Sequence, residues 1–208
     1  MAHQLNALPA GSTILITGVN GYIGSHIANI LLGMGFRVRG AVRAPKPWLN
    51  EMFDARYGKG VFETFLLSAF DDVPVLKRAM EDVAGVLHVA TDLTFGGNPE
   101  ATIPWVIKAS LNMLEAAAST PTVKRFVLTS SSTAVIIPVA DRVGVRVTED
   151  TYNESAVKIA WDPAVPEDSK AVEAGEILHP EIPGSTMGWV RLLLKGDKLL
   201  LRVSHPVS

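Results

Sequence analysis

With 208 residues, 48% of them hydrophobic and 19% charged, the chain has the composition of an ordinary globular protein, which excludes a disordered tail. A formal net charge of −2 and a pI near 6.2 give no electrostatic reason for nucleic acid or an anionic membrane as partner. The lack of cysteine excludes disulfides and thiolate chemistry, Met1 to Ser12 resembles no signal peptide, and no apolar run is long enough to span a bilayer, so a cytoplasmic protein is expected.

The first strand is read at Thr13 to Thr17, around the apolar stretch Ile14-Leu15-Ile16, and Thr17-Gly18-Val19-Asn20-Gly21-Tyr22-Ile23-Gly24 follows directly. Gly18 permits a sharp turn, Gly21 lets the backbone approach a pyrophosphate, and Gly24 lets the next helix pack close to the strand. The first turn of that helix points free N–H groups and the positive end of its dipole at the phosphates. Three glycines are also compatible with a tight turn that holds no ligand, so the context matters. Ile23, Ile27, Ile30, Leu31 and Met34 recur at helical spacing over Gly21 to Met34, Gly33 and Gly35 end the helix, and Arg37 to Val42 reads as a second strand. Strand, glycine turn, helix, strand is the opening half of a dinucleotide-binding unit.

Further along, helices are expected at Leu49 to Tyr57, Val73 to Val83 and Pro99 to Ser119, and strands at Val61 to Leu67, Val86 to Ala90 and Arg125 to Thr129. Ile107, Leu111, Leu114 and Ala118 share one face of the long helix, and Thr120-Pro121 stops it. The alternation implies right-handed crossovers and an α/β fold, a doubly wound parallel sheet of Rossmann type. After Pro138 the pattern deteriorates. Arg142 to Thr148 alternates like an exposed strand, Ala160 to Glu167 and His179 to Ser185 read as proline-punctuated loops, and Trp189 to Val203 is amphipathic. No second run of strand and crossover helix follows, so the second half of the fold is expected to be incomplete.

Four motifs in order, Thr17 to Gly24, Val38-Arg39-Gly40-Ala41-Val42-Arg43, Gly85-Val86-Leu87-His88-Val89-Ala90 and Lys124 to Ser131, resemble the NADPH-dependent aldehyde reductase and dihydroflavonol reductase branch of the extended short-chain dehydrogenases. The likeness covers roughly Leu8 to Asp168, with a shorter match at Ile177 to Asp197. It implies an NADP-binding Rossmann core over residues 1–140 and a remnant of a substrate lobe over 141–208. It places the pyrophosphate against Gly18, Gly21, Tyr22, Ile23 and Gly24, and sets His88-Val89-Ala90 beside the cofactor's ribose, with His88 in a packing or backbone-positioning role. Independently of the resemblance, the second strand ends not in the acid that accepts from a ribose 2′-hydroxyl but in Arg43, with Lys46 close behind. A guanidinium matches a 2′-phosphate, so NADPH is favoured over NADH; a solvated loop arginine is the alternative. Ser131 matches the family's catalytic serine, which holds the substrate carbonyl oxygen. Ser130, Ser132 and Thr133 are neighbouring candidates, and a serine-rich turn needs no catalytic purpose.

Two departures stand out. The resemblance implies an aspartate after the third strand, near the adenine, where this chain has Ser68-Ala69-Phe70, with Asp71 and Asp72 displaced beyond it. The family's proton donor is a tyrosine followed four residues later by a lysine, but Tyr22, Tyr57 and Tyr152 are followed there by His26, Val61 and Ala156. The join at Ala171 to Glu176 reads as an internal deletion that skips the tyrosine helix and the next strand. The resemblance therefore implies a shortened carbonyl reductase, weakly active or inactive on a small-molecule aldehyde or ketone, with association through an exposed sheet edge. A catalytically impaired NADP-binding module and a non-functional truncated isoform are the alternatives.

Overall fold

The computed structural model describes residues 8–91, 99–131, 134–135, 144, 146–148, 151–164, 190–195 and 198–203. The expected join at residues 171–176 lies outside them, as do Ser132 and Thr133. In chain order the elements are β1 (Thr13–Thr17), α1 (Tyr22–Gly33), β2 (Arg37–Val42), α2 (Pro47–Tyr57), β3 (Phe62–Leu66), α3 (Val73–Ala79), β4 (Val83–His88), α4 (Pro99–Ala118), β5 (Arg125–Leu128), α5 (Glu154–Trp161), β6 (Val190–Lys195) and β7 (Lys198–Val203). The strands lie side by side in the order β3-β2-β1-β4-β5-β6-β7. β1 runs parallel to both β2 and β4, and β2 parallel to β3, with Ile16 opposite Gly40 and Leu87. The doubly wound parallel sheet expected from the alternation is found: β1 to β5 form a parallel five-strand sheet flanked by helices, which corresponds to the first half of the fold, and β6 and β7 follow β5 in the strand order.

Strand periodicity explains why both faces are covered. Ile14 and Ile16 join Val38, Val42 and Phe62 in one buried cluster with Ala28 and Leu32 of α1 and Leu49 and Phe53 of α2. Leu15, between the two isoleucines, is fully buried on the opposite face. On that face Arg39 donates from Nη1 to the carbonyls of Ala79 and Glu81 and pairs through Nε with Glu63 at 2.6 Å, tying β2 and β3 to the end of α3. Each buried branched side chain contributes about 1.5–3 kcal/mol, so these packed strands hold the glycine turn on a stiff base.

Contacts divide the chain into two compact units: Met1–Ala90 with Asn112–Val127 and Leu192–Leu200, and Thr91–Leu111 with Leu128–Arg191 and Leu201–Ser208.

Several boundaries differ from those read in the sequence. The helix expected at Val73 to Val83 stops at Ala79 because Asp82 adopts a left-handed φ of 59° and turns the chain into β4, which starts at Val83 and ends at His88. A helix missing from the sequence reading, α5, begins where Asn153 Oδ1 accepts from the Ala156 N–H at 3.1 Å. Residues 144 and 146–148, inside the alternating segment, form no strand, and the amphipathic stretch near the end holds β6 and β7.

Candidate functional site: a dinucleotide cradle

At the carboxyl end of β1, Gly18 takes φ +67°, and a Cβ there would stand 3.1 Å from the Ala90 nitrogen. Only glycine satisfies both the left-handed turn and the close pass to the end of β4. The Gly21 N–H donates to the Gly18 carbonyl at 3.0 Å, closing the turn. A Cβ on Gly24 would strike that same carbonyl, so α1 approaches β1 as closely as backbones permit. Underneath, Val19 is fully buried and its methyl groups fill the hollow over Gly40, where a Cβ would come within 2.6 Å of Val19 Cγ1.

Gly21 caps α1 without a side-chain hydrogen bond, and the first turn carries no acidic residue. The N–H groups and the dipole's positive end are therefore neutralised by no carboxylate of the helix itself, which suits an anion. Tyr22 is 81% exposed, its ring against His26 at 4.8 Å, and Ile23 is exposed beside it. A Cβ added to Gly21 would meet only the Gly18 carbonyl oxygen, at 3.3 Å, so that side of the turn is otherwise open. The donor set and the open side both fit a pyrophosphate.

Thr17, the residue before Gly18, holds the cradle to β4. Its Oγ1 accepts from the backbone N–H groups of Val89 and Ala90, each at 3.0 Å, and lies 2.8 Å from His88 Nδ1. A hydroxyl has one proton and two lone pairs. With both lone pairs engaged, Thr17 donates its proton to Nδ1, which leaves the His88 proton on Nε2. His88 is buried, and burial pushes its pKa down from 6.5 to about 4, so the ring is neutral at pH 7. The ring meets Phe70 nearly perpendicularly, 5.0 Å between centroids. His88, Val89 and Ala90 thus stand in line at the end of β4 against the glycine turn.

Arg43, just past β2, is exposed, with no ion pair or hydrogen bond among the described residues, and Lys46 is half-buried as the residue capping α2. Ser131 lies beyond β5, half-buried, its carbonyl accepting from the Ala134 N–H at 3.2 Å. Ser130 is also half-buried. Tyr152 lies before α5 and Lys158 within it, both exposed, and no hydrogen bond joins them. The sequence reading missed the Thr17–His88 hydrogen bond and the packing of Phe70 on His88. A threonine at the end of the first strand was a usable signal for the first; the second depends on a contact between residues far apart in the chain.

Residues 14–153 match the family described as the NAD dependent epimerase/dehydratase family. The chain belongs to that family. Among relatives of this epimerase/dehydratase chain, a ketoreductase (nvfG) of Aspergillus novofumigatus is 42% identical over 174 residues, covering 82% of the chain and 50% of the relative. Aldehyde reductase 2 of Sporidiobolus salmonicolor is 31% identical over 227 residues, covering 91% of the chain and 66% of the relative. The chain thus spans half to about two thirds of the length of these relatives. Gre2 of Candida albicans in complex with NADPH has a similar fold, with a TM-score of 0.64 at 20% identity over 81% of the chain and 50% of Gre2. Among the described residues no helix is long and apolar enough to cross a membrane, and no three His, Cys, Asp or Glu side chains gather to hold a metal.

Proposed function

We propose that this epimerase/dehydratase chain binds NADPH in preference to NADH and reduces an aldehyde or ketone only slowly. The observation carrying the reading is the glycine cradle at the carboxyl edge of the sheet: a turn pinned by Thr17 and an α1 N-terminus with no carboxylate of its own. Arg43, unpaired among the described residues, supports the choice of NADPH, because a 2′-phosphate offers the guanidinium a charge-assisted partner. The ketoreductase and aldehyde reductase relatives support the reaction class.

Bound in the cradle, NADPH would supply hydride to the carbonyl carbon. The chain's own residues would do the rest. Gly18, Gly21 and Gly24 would shape the turn so that the backbone N–H groups of Tyr22 and Ile23 hold the pyrophosphate, Arg43 and Lys46 would hold the 2′-phosphate, and His88-Val89-Ala90 would line the ribose side. The Ser131 hydroxyl would steady the carbonyl oxygen. Since no tyrosine here is followed four residues on by lysine, water would deliver the proton, at a cost of about 10²–10⁴ in rate. The same missing pair favours a second reading, a module that binds NADPH without turnover.

Titration of NADPH by fluorescence, followed by turnover on a panel of aldehydes and ketones, separates the two. Binding with slow turnover supports the reductase, binding alone the module, and no binding refutes both. Arg43→Ala is expected to weaken NADPH about tenfold or more and leave NADH nearly unchanged, as the loss of a charged hydrogen bond of about 1.5–3 kcal/mol requires; an equal effect on both cofactors would remove Arg43 from the 2′-phosphate site.

A further inference from the structure

Resting on the NADPH reading, we infer that Asn112 is a positioning residue for the adenosine half of the cofactor, acting through Phe70. Asn112 sits half-buried on α4, and its Nδ2 donates to the Phe70 carbonyl at 2.9 Å. Phe70 in turn packs its ring against His88, which Thr17 holds beside the glycine turn. The segment after β3 is fastened at its other end as well, where the Leu67 N–H donates to the Val42 carbonyl at 2.9 Å. Ser68 and Ala69 therefore form a short span held at both ends.

The span's location gives it a ligand. β3 lies next to β2, whose end carries Arg43, and both run parallel to β1, so their carboxyl ends open on the same edge as the cradle. A dinucleotide in an open α/β sheet lies across that edge, with the adenosine ribose over the end of the second strand. The base then extends toward the residues after β3. No carboxylate is present among Ser68, Ala69 and Phe70, so the base would meet backbone groups and small side chains. Contacts of that kind depend on where the backbone is held, because a span that is loose in the free protein loses conformational freedom when the ligand docks. The Asn112 amide sets that position from α4, 42 residues along the chain from Phe70.

The test uses the full chain with NADPH and with 2′,5′-ADP, the adenosine half alone, by titration calorimetry well below the unfolding temperature. Asn112→Asp keeps the shape and replaces the donor with an acceptor facing a carbonyl. Both ligands are expected to lose about fivefold in affinity, the net worth of one hydrogen bond, and amide exchange at Ala69 and Phe70 is expected to accelerate. Should the aspartate variant fold poorly, Asn112→Ser removes the amide without adding charge, and the same losses are expected. Unchanged affinities with a lowered Tm would reduce Asn112 to a structural brace and overturn the inference while leaving the cofactor reading intact. Absence of binding by the unsubstituted chain would overturn both.

Discussion

One hydroxyl joins the two strands that flank the cradle. Thr17 Oγ1 takes the Val89 and Ala90 N–H groups and donates to His88 Nδ1, which fixes the tautomer of an imidazole that burial keeps neutral. A pH dependence follows. The folded pKa of His88 is about 4 against 6.5 for an accessible histidine, so below pH 6.5 the unfolded chain binds a proton that the folded chain does not. Stability from this group is complete above pH 6.5 and falls by about 1.4 kcal/mol per pH unit as pH drops toward 4. In His88→Asn, whose side-chain oxygen can still accept from Thr17, that part of the slope is expected to vanish when unfolding free energies are compared between pH 7 and pH 5; parallel curves would show that His88 is accessible to protons. The glycines of the turn could be read in the sequence because what they satisfy, backbone angles and missing Cβ atoms, is local. The Thr17–His88 bond could not, since it spans 71 residues and becomes visible only once β1 and β4 are neighbours.

At the level of the elements, β1 and β2 lie where the sequence places them, whereas β4, read at Val86 to Ala90, runs from Val83 to His88. Ends governed by single side chains were not legible. Asp82 reaches a left-handed conformation that its residue type only tolerates, so α3 is shorter than its apolar pattern. Asn153 starts α5 ahead of a proline that marks the same region as loop. Element packing also bears on the edge at β3. The Thr64 N–H donates to Asn50 Oδ1 at 3.1 Å, and Asn50 Nδ2 donates back to Thr64 Oγ1 at 3.0 Å. α2 thereby occupies an edge amide that another chain would otherwise pair with. Asn50→Ala is expected to cost about 1–2 kcal/mol, two hydrogen bonds of modest net value, and to increase concentration-dependent association in sedimentation velocity. A monomer equally stable to dilution would show that this edge is blocked by other means.

At the scale of the whole molecule, apolar side chains stand on the outside among the described residues: Ile23 and Ile30 of α1, Met34 just after it, and Trp48 and Met52 of α2 are all exposed. Exposed apolar area adds nothing to folding, so bound ligand is expected to weigh heavily in the stability of this chain. NADPH at a hundred times its dissociation constant should add about 2.7 kcal/mol, which for a chain of this length raises Tm by about 5–10 °C. Differential scanning fluorimetry checks it, with NADH giving a smaller rise at equal concentration; identical shifts from both would count against a 2′-phosphate site.

The hollow over Gly40 couples what look like separate parts. Because the Val19 methyls are seated there, the loop after β1 and the strand that leads to Arg43 are packed together, and neither can slide without the other. An inserted residue anywhere between Gly18 and Gly21 is expected to displace the glycine turn and Arg43 together, and, on the NADPH proposal, to set the two proposed phosphate sites at the wrong separation for one ligand.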